Sequence, residues 1–149
     1  MHHLPTPEEW KTILDTGKIQ HFEAEQTIIQ QGNRLQRLCF VIKGTCTVVM
    51  NKSDARKKAD VLLEIRELEQ GDCFGAEQIL LGGESRQSLI AFSPCDICII
   101  EANDLKQLIT ENVLIGSSLM KYLATYLYST IGCLTKSPTS QLSGVRFSE

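Results

Sequence analysis

The chain is short of the residues that most enzyme chemistry needs. It has three histidines in 149 residues, and His2, His3 and His21 all precede the main run of strand-like segments. A metal-dependent enzyme on a β-barrel needs His and carboxylate ligands converging inside the barrel. No such set is in place, so no metal site is expected. No nucleophile–base pair stands out either, so an enzyme is not expected. An excess of one charge is also missing. The 15 Lys and Arg against 18 Asp and Glu give a net charge of -3. The basic residues are scattered, which leaves no footprint for nucleic acid or an anionic membrane. The one basic cluster is Lys52, Arg56, Lys57 and Lys58. Asp54 and Asp60 dilute it, and it reads as a solvated hairpin loop. The Met1 end has no basic region followed by an apolar run. No secretion leader is expected, and the expected location is cytoplasmic.

Cysteine is not scarce. There are six, and Cys95 and Cys98 form a C-x-x-C. They lie in Pro94–Glu101, which reads as a strand. Residues three apart on a strand face opposite sides, so one metal ion could not easily take both. Cys39, Cys46, Cys73 and Cys133 sit among apolar neighbours and read as buried small hydrophobes. Reduced thiols are the simplest account.

Taken in order, Thr6-Pro7-Glu8-Glu9 reads as a helix start, with Thr6 as cap and Pro7 at the first position. Trp10, Ile13 and Leu14 follow at helical spacing, with Trp10 as a core anchor, and Gly17 ends the run. From Ile19 onward the period changes to short β-rich segments. Turn signals at Gln31-Gly32-Asn33, Lys43-Gly44, Asn51–Asp54 and Gln70-Gly71-Asp72 separate them. Val61–Arg66 partly alternates, as a half-buried strand does. Short strands at this spacing suggest a closed antiparallel barrel or roll.

The stretch Phe74–Ser88 has the layout of an anion site. Gly75 lets the backbone approach a ligand. The amides of Ala76, Glu77 and Gln78 would be free at a helix start. Gly82-Gly83 makes a turn, and Arg86 returns at the head of an apolar strand with a five-donor fork suited to phosphate. The bland alternative is a loop–helix–strand connection with a Glu77–Arg86 salt bridge. Strands over Arg86–Phe92 and Asp96–Glu101 follow. A helix capped by Asn103 or Asp104 comes next, then a longer helical run over Val113–Leu134. That run has a wide apolar stripe, but Lys121 and several Ser and Thr argue against membrane insertion. The Ser-rich tail 135–149 reads as flexible.

Several marks together resemble the cyclic nucleotide-binding domain family, over about Pro7 to Leu134. Ile28-Ile29-Gln30-Gln31-Gly32 is similar to the family's I-x-x-Q-G. Leu38–Val48 is similar to its hydrophobic-x-F-I-x-x-G-x-x-x-V. Gly71-Asp72-Cys73-Phe74-Gly75 matches the entry to its phosphate-binding cassette, and Leu80-Leu81 and Arg86 match the rest. The resemblance implies an eight-stranded antiparallel β-roll with one N-terminal and two C-terminal helices, as one domain over residues 5–134. It implies cAMP or cGMP as ligand, with no other cofactor. Arg86 would pair with the cyclic phosphate, and Gly75, Ala76 and Gln78 would complete the cradle. Glu77 would accept the ribose 2′-hydroxyl, with Gln87 and Ser88 beside the arginine. Val113–Leu134 would be a moving lid over the base, with Tyr122 or Tyr126 stacking on it.

Two departures stand out. The family reads Phe-Gly-Glu, whereas Ala76 here separates Gly75 from Glu77. The nine-residue step from Glu77 to Arg86 is the family's own, which favours an insertion before Glu77. Gln87 stands where many cGMP-preferring members carry threonine, which leans slightly to cAMP. Two functions follow. One is a regulatory module that binds a cyclic nucleotide and signals through its C-terminal helices to an effector in the same or another chain. The other is a nucleotide-free interaction domain that uses the final helix for a homodimer or another partner.

Overall fold

The computed structural model describes residues 4–54 and 59–131. Cys133, the tail 135–149, His2, His3 and the basic residues 56–58 lie outside the described residues. Helix α1 (Pro7–Asp15) starts as its sequence dictates. The Glu9 N–H donates to the Thr6 hydroxyl, and the Thr6 N–H donates to the Glu9 carboxylate. This capping box satisfies two donors that a helix start leaves free. Trp10 and Ile13 form its buried face.

The helix closes at Thr16 in ordinary right-handed geometry, so Gly17 is not a left-handed stop. Its role is close approach. A Cβ there would stand 2.7 Å from the Ile99 carbonyl and 2.7 Å from the Ile100 side chain. Only glycine lets the end of α1 sit down on the strand that carries them.

Eight strands follow: β1 (Lys18–Phe22), β2 (Thr27–Ile29), β3 (Arg37–Lys43), β4 (Cys46–Asp54), β5 (Ala59–Leu68), β6 (Cys73–Phe74), β7 (Ser88–Ala91) and β8 (Cys95–Glu101). A short helix α2 (Ala76–Leu81) lies between β6 and β7. Helices α3 (Ala102–Glu111) and α4 (Val113–Ile131) close the described chain. The strands form two four-stranded antiparallel sheets, ordered β1-β8-β3-β6 and β2-β7-β4-β5. This is the eight-stranded β-roll that the sequence leads one to expect.

Alternation along the strands builds two cores at once. Leu38, Phe40 and Ile42 of β3 and Cys98 and Ile100 of β8 face outward to Trp10, Leu105, Leu119 and Leu123 of the helices. Cys39, Val41, Cys95 and Ile97 face inward to Val48, Leu68 and Leu89 of the other sheet. A strand buried on both faces reads as an unbroken apolar run, and Leu38–Ile42 is one. The same alternation sends Cys95 and Cys98 into different cores, as the strand reading requires. Burial pushes the Cys39 thiol up to about 12 and the Cys98 thiol up to about 11. Both are packing residues and not reactive thiols.

Some boundaries differ from expectation. The strand expected from Arg86 begins at Ser88, which leaves Arg86 in a loop. Helix α3 begins at Ala102 directly from β8, with no side-chain cap from Asn103 or Asp104. Strand β4 continues through the expected turn to Asp54. Val61–Arg66 is less buried than a half-buried strand would be: Leu62 is 65% exposed, and Leu63 and Ile65 are exposed too. The reason is position, since among the described residues β5 pairs with β4 alone and forms the sheet's edge.

Candidate ligand-binding site

The site is built on a turn that the I-x-x-Q-G segment sets. The Gln31 side chain donates to the Asn51 carbonyl and accepts from the Asn51 N–H, like one rung of a sheet. The Gln31 N–H donates to the Ser88 hydroxyl. The Gly32 N–H donates to the Ser85 carbonyl, and the Ser85 N–H donates back to the Asn33 carbonyl. The buried Gln78 amide donates to the Asn33 and Gly83 carbonyls at 3.0 and 2.9 Å. These bonds fix the loop before β7 against the start of α2.

A cavity of about 320 Å³ opens there, at the small end of the range for small-molecule sites. Gly75, Ala76, Glu77 and Gln78 form one wall, and Glu84 to Gln87 of the loop form the next. Three amides at the start of α2 have no partner within the helix. Ile65 and Arg66 of β5, with Tyr126 and Leu127 of α4, form a further wall, and Cys73, Phe74, Leu81 and Gly82 complete the lining. Glu77 and Arg86 face each other, with Arg86 Nε 3.6 Å from Glu77 Oε1. At that distance they are an ion pair and not a hydrogen bond. Arg86 is 80% exposed, so the pair costs little to open. The salt bridge of the bland reading and an available arginine therefore coexist.

The structure places the expected residues unevenly. Gly75, Ala76, Glu77, Gln78, Arg86 and Gln87 all line the cavity. Ala76 is also packed into the outer core, whereas Glu77 is about half exposed beside Arg86. Ala76 thus turns inward, and Glu77 stands at the arginine. Gln78 commits its side chain to the scaffold, so its backbone N–H is what it offers. Ser88 is outside the lining, buried, with its hydroxyl held by Gln31. Gly75 serves the fold first. It has φ +101°, and a Cβ there would collide with the Arg37 carbonyl oxygen.

The two tyrosines of α4 separate. Tyr122 is fully buried against Trp10 and is not part of the cavity lining. Tyr126 lines the cavity, and its hydroxyl accepts from Arg66 Nη1 at 2.6 Å. The Arg66 guanidinium also lies 5.3 Å from the Tyr126 ring centre, within cation–π range. Burial raises the Tyr126 phenol well above its ordinary value, and Arg66 opposes that in part. The phenol is a neutral partner to the arginine at any physiological pH.

Arg66 and Ile65 are among the lining residues that the sequence does not mark as part of the site, as are Cys73, Leu81 and Leu127. The signal of Arg66 and Ile65 was masked by a bulge. Val48 pairs with Arg66 and Val49 with Glu64, so Ile65 is the extra residue. A bulge breaks the two-residue alternation and re-aims the side chains beside it.

A roll of this topology with a Gly–helix–Arg cassette has the layout of a ligand-binding domain, and its relatives give its family. The chain belongs to the cyclic nucleotide-binding domain family, whose model matches residues 19–112. It is 31% identical over 123 residues to the cAMP-activated global transcriptional regulator CRP of Pasteurella multocida, covering 82% of this chain and 56% of that protein. It is 28% identical over 129 residues to cyclic GMP-binding protein C of Dictyostelium discoideum, covering 85% of this chain and 5% of that protein. The catabolite activator protein of Thermus thermophilus superposes with a TM-score of 0.68 at 23% identity, covering 83% of this chain and 56% of that one. The chain therefore spans about half, or far less, of the length of these relatives. Among the described residues, no helix is long and apolar enough to cross a membrane.

Proposed function

We propose that this domain is a regulatory module, not an enzyme, that binds a cyclic purine nucleotide in the cavity and acts in the cytoplasm. The observation that carries the reading is Arg86, mostly exposed at the cavity and opposite the free amides of α2. Arg86 takes the cyclic phosphate as a charge-assisted pair, and the amides of Ala76, Glu77 and Gln78 share the remaining charge. Glu77 accepts the ribose 2′-hydroxyl from the adjacent position. Gln87 supplies no hydroxyl beside the phosphate, which gives cAMP a slight edge at that end of the ligand. Tyr126, the aromatic residue of α4 in the lining, meets the base. Ligand then favours one position of the end of α4, and an effector in the same or another chain reads that shift. Isothermal titration with cAMP and with cGMP tests the reading. Saturable heat with one site per chain is expected, and no heat at millimolar nucleotide overturns it.

A second reading has its own observation. Helix α4 leaves Val113 and Leu114 at its start and Tyr128 near its end largely exposed, apolar side chains that a partner laid along the helix would cover. In that reading the domain works as an interaction module, with α4 forming a homodimer or holding another protein. A concentration-dependent mass by sedimentation, unchanged by nucleotide, would favour it.

A further inference from the structure

We infer that Cys46 and Cys95 are a redox pair, which a hydroperoxide oxidant converts to a disulfide that staples the two sheets of the roll together. Cys46 opens β4 and Cys95 opens β8, so the two residues belong to different sheets. Both are free thiols, and their side chains meet in the inner core. The sulfurs stand 3.8 Å apart, whereas a disulfide holds them about 2.0 Å apart. Modest turns about the two Cα–Cβ bonds close that gap. The pair is not the C-x-x-C of the sequence. Cys98 lies in the outer core and donates its S–H to the Leu14 carbonyl.

A clasp between two turns guards the pair. The Thr45 N–H donates to the Ser93 hydroxyl at 3.0 Å, and the two hydroxyls are 3.2 Å apart. The N–H groups of Phe92 and Ser93 donate back to the Thr45 carbonyl. Thr45 directly precedes Cys46, and Ser93 stands two residues before Cys95. Both thiols are buried, and burial raises the pKa of each. The thiolate is the reactive form, so the pair reacts when the clasp opens. One thiolate then attacks the peroxide, the O–O bond breaks, and the sulfur becomes a sulfenic acid as water leaves. The second sulfur displaces the hydroxyl group of that acid, and a second water leaves with its proton. Two S–H bonds are lost, one S–S bond forms, and two electrons pass from sulfur to the peroxide. The new bond closes a loop from Cys46 to Cys95. That loop holds every residue of the cavity lining except Tyr126 and Leu127. Oxidation therefore fixes the frame of the cavity and leaves α4 outside the loop.

The test exposes the full chain to hydrogen peroxide, alkylates the remaining thiols under denaturing conditions, and maps the disulfides by peptide mass spectrometry. A linked pair of peptides carrying Cys46 and Cys95 is expected, lighter by two hydrogens than the separate peptides. The melting temperature of the oxidised chain should rise by roughly 5–15 °C, and a dithiol reductant should reverse the rise. Cys46→Ala and Cys95→Ala should each abolish the link and the rise, whereas Cys98→Ala should keep both. Ser93→Ala removes one side of the clasp and should speed formation of the bond. The mapping on wild type stands even where a variant fails to fold. Cys46 and Cys95 recovered as alkylated thiols in wild type and Ser93→Ala alike overturns the inference, as does oxidation of either to a sulfinic acid with no link between them. A linked chain that melts no higher than the reduced one overturns the staple.

Discussion

The rings of Trp10 and Tyr122 meet edge to face, with centroids 4.7 Å apart and planes at 87°. Both side chains are fully buried, and Trp10 also stacks edge-on against Phe40 of β3. This pins the first half of α4 to α1 and to the roll. A lid that moves as a whole helix is hard to reconcile with that packing, and the mobile part should be the end that borders the cavity. Hydrogen exchange should therefore show Leu119–Leu123 slow with or without nucleotide. Added protection should appear at the cassette and from Tyr126 onward. Ligand-dependent protection spread evenly over Leu119–Leu123 would show that α4 moves as a unit.

Gly75 stands at a left-handed position against the Arg37 carbonyl. Gly75→Ala should cost at least about 1–2 kcal/mol from the backbone alone, with the collision added. Denaturant unfolding measures it. A variant as stable as wild type would mean that the β6–α2 junction shifts freely.

The Gln78 amide holds two carbonyls from one buried position. Gln78→Leu removes both donors and should destabilise the domain by roughly 1–3 kcal/mol. It should also weaken nucleotide binding, because the loop carrying Arg86 loses its anchor to α2. Unchanged affinity in a destabilised variant would separate the scaffold from the site.

His21 sits between two carboxylates, with Nδ1 2.8 Å from Asp96 and Nε2 3.1 Å from Glu23. The hydrogen bond to Asp96 raises its pKa above 6.5, with Glu23 adding to the effect against a smaller opposing desolvation. The folded protein thus holds the proton more tightly than the unfolded chain. The stabilisation is complete below about 6.5 and is lost as pH rises through the folded value. Thermal melts should place His21→Gln below wild type in mild acid, with the gap closing in alkali. A gap that does not change with pH would mean that His21 acts by packing alone.

Local chemistry was legible in the sequence, and long-range geometry was not. The Thr6–Glu9 capping box, the Trp10 anchor and the opposed faces of Cys95 and Cys98 each depend on spacing within a few residues. The Glu77–Arg86 encounter could also be read, since both lie in one short stretch. Four features could not. Gly75 answers to the Arg37 carbonyl, which comes from a strand far back in the chain. The Ser88 hydroxyl accepts from the Gln31 N–H, far back in the chain. Arg66 reaches the cavity through a bulge, and the exposure of Leu62 follows from β5 being an edge. Pairing partners and sheet order decide these, and a single sequence prints neither.

The most direct measurement is the titration of wild type and Arg86→Ala with the same cyclic nucleotides. Arg86 is exposed and its pair with Glu77 is long, so the substitution should leave the melting temperature close to wild type. Binding should fall by roughly 2–5 kcal/mol, the cost of losing a charge-assisted phosphate pair in a site that ligand partly desolvates. That result would place the phosphate on Arg86. Full-strength binding by a folded Arg86→Ala, or a wild type that binds no cyclic nucleotide, would contradict the account.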